Sequence, residues 1–369
     1  MSGPDPDRRL ALQALAMLPL GAALGACGGG SGASLQPVPA PATRSWQLGF
    51  SPNPPVPTVA AVLAGIDLWS RRAELAIIHE ELPWTDLLTG MSPGAILDRD
   101  KVALVNYLRG KGLELVFMGD LTDGLAREME APQLRALGRS ITEPVVQALY
   151  RDYMLAVSSK LTPRYLGLAA ETNLIRVAAG PAVYAAVVQS ANAAAAALKA
   201  AGSPATLFTS VQVETAWGGI APGGTFAGIA QDLLDFAFSE LLGFSSYPYF
   251  RYAQPEDIPP DYYSRLAAGQ SRPIYVVEGG WTSASVGTIA SSPEAQARYI
   301  ARHAQLLDGV GARGLLQLEF ADIDLTAVPP PVPANLPLFT QIGLTRSDFS
   351  AKPALAAWDQ LFQRPFRAP

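Results

Sequence analysis

Two glutamates carry the most chemistry in this sequence. Glu171 closes the apolar run Tyr165-Leu166-Gly167-Leu168-Ala169-Ala170, and Glu278 closes Pro273-Ile274-Tyr275-Val276-Val277. A carboxyl placed directly after a buried strand points into the mouth that the strand ends surround. Two such groups can divide the labour of glycoside hydrolysis. One stays protonated to donate to the leaving oxygen, and the other stays ionised to attack or to activate water. Other apolar runs end in similar residues: His79-Glu80-Glu81-Leu82-Pro83-Trp84, Gly119-Asp120, Glu214-Thr215-Ala216-Trp217, Ser245-Ser246-Tyr247-Pro248-Tyr249-Phe250, Gly279-Gly280-Trp281 and Leu318-Glu319-Phe320. Carboxylates and aromatic rings share these ends, and Lys and Arg are absent from them. That mixture suits a sugar, whose C–H face stacks on aromatic planes while carboxylates and amides take its hydroxyls. Trp84 and Trp217 are candidate rim platforms, each equally open to loop packing. His79 is a candidate substrate contact or a hydrogen-bonded structural residue. Glu214 and Glu319 rival Glu171 as acid/base, and His303, in a helical stretch, reads as structural.

The elements that must position these groups follow from periodicity. Eight apolar runs read as strands: 46–50, 74–79, 113–118, 165–170, 206–213, 241–246, 273–278 and 313–319. Most are continuously apolar, as parallel strands covered on both faces are. Helical spacing appears between them at 58–71, 96–110, 143–160, 181–201, 229–240, 261–269, 293–308 and 353–363. Gly112 and Gly202 sit where two of these helices should stop. Eight strands alternating with eight helices predict a (β/α)8 barrel, whose site lies at the C-terminal strand ends. A doubly wound sheet is the alternative. Its phosphate-binding turn has no counterpart in Ser51-Pro52-Asn53-Pro54-Pro55.

Composition narrows the function. Of 369 residues, 49% are hydrophobic and 16% charged, with a net charge of −5. A large core is affordable, and the clustered cations that a nucleic acid requires are missing. Two histidines and one cysteine are too few for a His/Cys zinc site. A Ser-His-Asp triad is not excluded by count, but no G-x-S-x-G elbow occurs. Glu80-Glu81 and Asp322/Asp324 match no specific calcium loop. No cofactor is implied, and a monomer is expected.

The cysteine is informative through its position. Arg8 and Arg9 precede an apolar run over 10–26, which ends Leu24-Gly25-Ala26-Cys27. Gly28-Gly29-Gly30-Ser31-Gly32 and a Pro-rich stretch follow. Residues 1–27 resemble a bacterial lipoprotein signal peptide. That resemblance implies cleavage before Cys27, lipidation there, and a chain held on the cell envelope of a bacterium. The expected organisation is a signal peptide at 1–26, a flexible tether at 27–45 and one domain at 46–369.

The barrel segments carry a second resemblance. Tyr165-Leu166-Gly167-Leu168-Ala169-Ala170-Glu171-Thr172-Asn173 and Ile274-Tyr275-Val276-Val277-Glu278-Gly279-Gly280-Trp281 look like the strand-four and strand-seven motifs of clan A glycoside hydrolases. Ser246-Tyr247-Pro248-Tyr249 is similar to the strand-six motif of the endo-β-1,4-galactanase family, and Ile342-Gly343-Leu344-Thr345 with Lys352-Pro353-Ala354-Leu355 and Trp358 to the closing segment. The resemblance implies a retaining hydrolase of β-linked polysaccharide or oligosaccharide. Glu171 would be the acid/base and Glu278 the nucleophile, with carboxyl groups about 5–5.5 Å apart. Tyr247 would hydrogen-bond Glu278, and Trp281 would stack on the sugar. Two positions depart from the clan. Ala170 stands where an Asn usually binds the sugar 2-hydroxyl, a role Asn173 could take over. Strand two ends in His79-Glu80-Glu81 where the clan usually has an Arg. These departures leave a second reading, a non-catalytic carbohydrate-binding lipoprotein on a degenerate barrel.

Overall fold

A computed structural model describes residues 42–219 and 224–368. The signal peptide, Cys27 and most of the tether lie outside them. Strands form where the apolar runs predict: β1 (Gln47–Phe50), β2 (Leu75–Glu81), β3 (Glu114–Asp120), β4 (Tyr165–Gly167), β5 (Thr206–Phe208 and Ser210–Gln212), β6 (Leu242–Ser246), β7 (Ile274–Gly279) and β8 (Gly314–Gln317). The two halves of β5 flank Thr209. The first pairs with β4 and the second with β6, all parallel. Nine strand segments therefore occupy eight positions, and β1 pairs with β8 from Gln47↔Gly314 to Phe50↔Gln317. The result is a nearly closed (β/α)8 barrel, as the alternation predicts.

Two-residue periodicity sorts the side chains. Leu75 and Ile77 of β2, Val116 and Met118 of β3, and Tyr275 and Val277 of β7 fill the interior. Their neighbours Ala76, Ile78, Leu115, Phe117 and Val276 face the helices. The interior phenols of Tyr165 and Tyr275 satisfy each other at 2.6 Å. Gly49 sits where β1 meets β2, and a Cβ there would lie 2.6 Å from the Leu75 carbonyl oxygen.

The helices begin where capping residues stand. Ser92-Pro93 and Ser292-Pro293 each place a serine oxygen to accept from the N–H three residues on, with proline in the first turn. Gly112 and Gly202 stop the preceding helices at positive φ. The final helix, Pro353–Gln363, buries Trp358 against Phe50, with centroids 4.7 Å apart. Two expected helices are shorter or absent. Only Ala230–Asp235 is helical within 229–240. Residues 261–269 form turns, with Leu266 N–H reaching back three residues and Arg265 N–H four.

Two further features differ from the sequence reading. Arg44, assigned to the tether, is buried, ion-paired to Glu74, and bridged to the C-terminal segment. Its N–H donates to Pro365 and its carbonyl accepts from Arg367. The chain after β3 also folds into a hairpin, Thr122–Asp123 with Ala126–Glu130, which the strand reading had passed over.

Candidate active site

The strand ends surround a cavity of about 600 Å³, which Glu171 and Glu278 both line. Each is presented by a local irregularity. Glu171 lies just past β4 with φ 49° and ψ 46°, a left-handed conformation that is rare for a side chain of its size. Its N–H donates to Ser210 Oγ at 2.9 Å, which ties the turn to β5. Glu278 follows a register shift against β6: Val276 pairs with Phe244, but Glu278 pairs with Ser245. Val277 is the extra residue of this bulge, and a bulge re-aims the side chain that follows it.

A chain of alternating charges joins the two carboxyls. Glu278 Oε1 accepts from Tyr247 Oη at 2.6 Å, and Oε2 lies 3.1 Å from His79 Nδ1. His79 Nε2 lies 3.0 Å from Asp120 Oδ2. Asp120 accepts from Arg127 Nη1, and Arg127 Nε donates to Glu171 Oε2 at 2.8 Å. Burial alone would push His79 down, but the flanking Asp120 and Glu278 raise it to about 10, so it is a cation donating at both nitrogens. Against its own burial, Glu278 is held below the usual carboxylate range by His79, Arg127 and Tyr247. Glu171 moves the other way, to about 7, because burial and the nearby Glu278 outweigh Arg127. One carboxyl is thus poised as a base and its neighbour as an acid.

Two more carboxyls line the cavity. Glu214 Oε1 accepts from the Tyr247 N–H at 2.8 Å and from Tyr262 Oη, while Glu319 Oε1 accepts from Asn53 Nδ2 at 2.9 Å. Burial raises them to about 7 and about 8, and the Oε2 of each finds no partner among the described residues.

The structure brings His79, Glu80, Asp120, Glu171, Glu214, Tyr247, Glu278 and Glu319 together at the cavity, but not Asn173, the three tryptophans or His303. Asn173 is buried away from it. Its Nδ2 donates to the Gln212 carbonyl at 2.8 Å and its Oδ1 accepts from the Gln212 and Leu174 N–H groups, so it is a clamp between β4 and β5. Trp84 is fully buried in the core. Trp217 stacks on Tyr262 and donates to its carbonyl at 2.9 Å. Trp281 packs against Tyr299 and donates to Ser291 Oγ at 3.0 Å. His303 is buried, bonded to Tyr263 Oη at 2.8 Å. Glu80 is held by Tyr153 and Lys101, and Asp322 by Lys352.

Sequence reasoning missed Arg127, and it named Asp120 only as part of a strand end. Arg127 comes from the hairpin after β3, beyond the ends of the barrel strands. The only signal was a cation within the alternating stretch Ala126–Glu130, where it is buried while its neighbours are partly exposed. His79 fills the place beside Glu278 where an Arg of strand two was expected.

No family model matches the sequence, nor does any curated protein. The solved structures that it resembles include glycoside hydrolases of clan A with this barrel. One is an exo-β-1,4-mannosidase from Opitutaceae bacterium strain TAV5, at TM-score 0.65 and 15% identity, covering 87% of this chain and 60% of that one. The described protein therefore spans less than two thirds of that structure's length. A GH5_18 protein from Streptomyces cattleya, in complex with GlcNAc, matches at TM-score 0.63 and 17% identity, over 88% and 83% of the two chains. Xylanase 10B from Thermotoga maritima matches at 0.56 and 12%, over 87% and 95%. At these identities the likeness is one of fold.

Proposed function

We propose that this protein is a retaining hydrolase of β-glycosides. The observation that carries the reading is the pair Glu171 and Glu278, at the ends of β4 and β7 in one cavity and driven to opposite protonation by the residues around them. Glu278 attacks the anomeric carbon while the glycosidic C–O bond breaks. The leaving oxygen takes the proton of Glu171, whose Oε2 is engaged by Arg127 and whose Oε1 is left for the substrate. Water then attacks the glycosyl–Glu278 ester, Glu171 takes its proton, and the configuration is retained. Tyr247 and His79 release Glu278 as its charge disappears.

Substitution of each carboxyl tests the assignment. Glu278→Ala should abolish turnover, and azide should restore it with an inverted glycosyl azide as product. Glu171→Ala should still react with substrates whose leaving groups need no proton, and azide should then give a retained product. Full activity in either variant would move the assignment to Glu214 or Glu319. Sugar binding without turnover of any glycoside by the unaltered protein would favour the carbohydrate-binding alternative.

We further propose that the protein is exported and lipid-anchored at Cys27. The support is the order of leader, small residues, cysteine and Gly-rich stretch. Cys27→Ser should shift the protein from membrane to soluble fractions, and a soluble unaltered protein that keeps its leader would contradict the anchor.

A further inference from the structure

The cavity has a polar floor and apolar walls. Most of its charged groups sit at the strand ends, and Arg127 and Glu128 reach it from the hairpin after β3. Above them, the loops after β3, β7 and β8 present Leu125, Val286, Ile289, Ile323, Val328 and Leu336 to the same space. All six are only partly buried. The loops that carry them are pinned. Val286 and Ile289 exchange backbone hydrogen bonds at 2.9 and 3.0 Å, Ile323 N–H donates to Thr340 at 2.9 Å, and Asp324 N–H to Pro55 at 2.8 Å. The amide of Asn335 crosses the opening to the Leu125 carbonyl at 2.7 Å. A wall of aliphatic side chains held half-exposed around a cavity is unfavourable in water and becomes favourable when an apolar group covers it.

A second or third pyranose would need ring platforms and hydroxyl partners along this wall. The three tryptophans that could serve as platforms are packed elsewhere. Phe250 and Phe339 do line the cavity, but they cluster around Tyr247 beside the floor, with ring centroids 5.9 and 5.0 Å from it. They stand beside the floor next to Glu278, and what lies beyond them is mostly aliphatic, with Glu128, Thr288 and Asn335 as the polar exceptions.

We propose that the group leaving from this site is apolar, so that the substrate is a β-glycoside of an alkyl or similar lipidic alcohol. The sugar lies on the charged floor and the aglycone along the loops after β7 and β8. This inference rests on the glycosidase reading. The chemistry agrees with it. In the first step the C1–O bond breaks as the bond from Glu278 to C1 forms. The electron pair stays on an alkyl oxygen, a poor leaving group that must take the Glu171 proton as it departs.

The test uses the purified chain with methyl, butyl, hexyl and octyl β-glucosides and β-mannosides, kept below their micelle concentrations. Leaving-group acidity hardly changes from butyl to octyl, so a change in kcat/KM reports contact with the wall. We expect kcat/KM to rise about threefold per methylene, within the transfer free energy of a buried CH2. Ile289→Asn and Leu336→Asn, checked for folding by circular dichroism, should flatten that slope. A flat series in the unaltered protein, an unchanged slope in both variants, or faster cleavage of cellotetraose or mannotetraose than of octyl glycosides would overturn the proposal. Failure of the glycosidase reading looks different, because no glycoside of any length would then be cleaved. Calorimetric titration with the same series decides that case. A Kd that tightens with chain length upholds the apolar wall, and a flat Kd overturns it.

Discussion

At the scale of single residues, the notable property is how the charges of the site balance. With Glu171 protonated, the chain Glu278, His79, Asp120, Arg127, Glu171 sums to zero. In the proposed mechanism glycosylation makes Glu278 a neutral ester and takes the proton from Glu171, and the sum is again zero. Loss of the Glu278 charge in that step would also remove one of the causes that raise Glu171, which is what an acid that must next act as a base requires. The pH profile should show this balance. Glu278 is lowered, so its limb falls away only below the usual carboxylate range. Glu171 is raised, so kcat/KM should decline as pH rises through about 7. Arg127 lowers Glu171, and Arg127→Met should therefore move the basic limb upward. A basic limb that stays put in that variant would show that Glu171 does not produce it. The place of the two glutamates at the cavity was legible because a carboxyl directly after a barrel strand must lie at the mouth that the strand ends form. Arg127 was not legible, because its partners Asp120 and Glu171 are 7 and 44 positions away in sequence. The tryptophans misled because a large ring at a strand end fills core as readily as it faces solvent, and only packing decides between them.

The elements were largely legible, and the exceptions are local. Continuous apolar runs marked all eight barrel positions, since a parallel strand covered on both faces has no polar alternation to hide it. What the pattern does not record is a single extra residue. The bulge at Val277, the break at Thr209 and the left-handed turn at Glu171 each leave the hydrophobic pattern intact, yet they set which side chains reach the cavity. Asn173 belongs to this scale and not to the substrate. It replaces missing backbone pairing between the ends of β4 and β5, at a site where a lost partner leaves buried N–H and C=O groups unsatisfied. Asn173→Ala should cost about 1–3 kcal/mol in stability. It should lower Tm while leaving KM close to that of the parent. A raised KM at unchanged Tm would return Asn173 to a substrate-binding role.

Over the whole molecule, the site places a load on stability. Glu319 is buried, with one oxygen unpartnered among the described residues, and rises to about 8. A carboxyl raised in the folded state favours folding only while it stays protonated. Its contribution is fully present below the unfolded value near 4.5 and is lost as pH climbs through about 8. Glu319→Gln removes that loss. The stability advantage of the variant should therefore widen between these limits, by up to about 1.4 kcal/mol per pH unit. Denaturant titrations at pH 5 and pH 8 would measure it, and an advantage equal at both would show that Glu319 is already solvated. A second consequence arises at the opposite face of the barrel. Arg44 and Phe366 are bridged side by side, with Arg367 donating back to Arg44. The two ends of the described chain thus meet at one spot, away from the mouth that the strand ends form. The order in which the eight units are synthesised is then not what holds them together. A short linker from Arg367 to Arg44, with new ends opened at the exposed Gly202 turn, should yield a circularly permuted barrel that melts near the parent temperature.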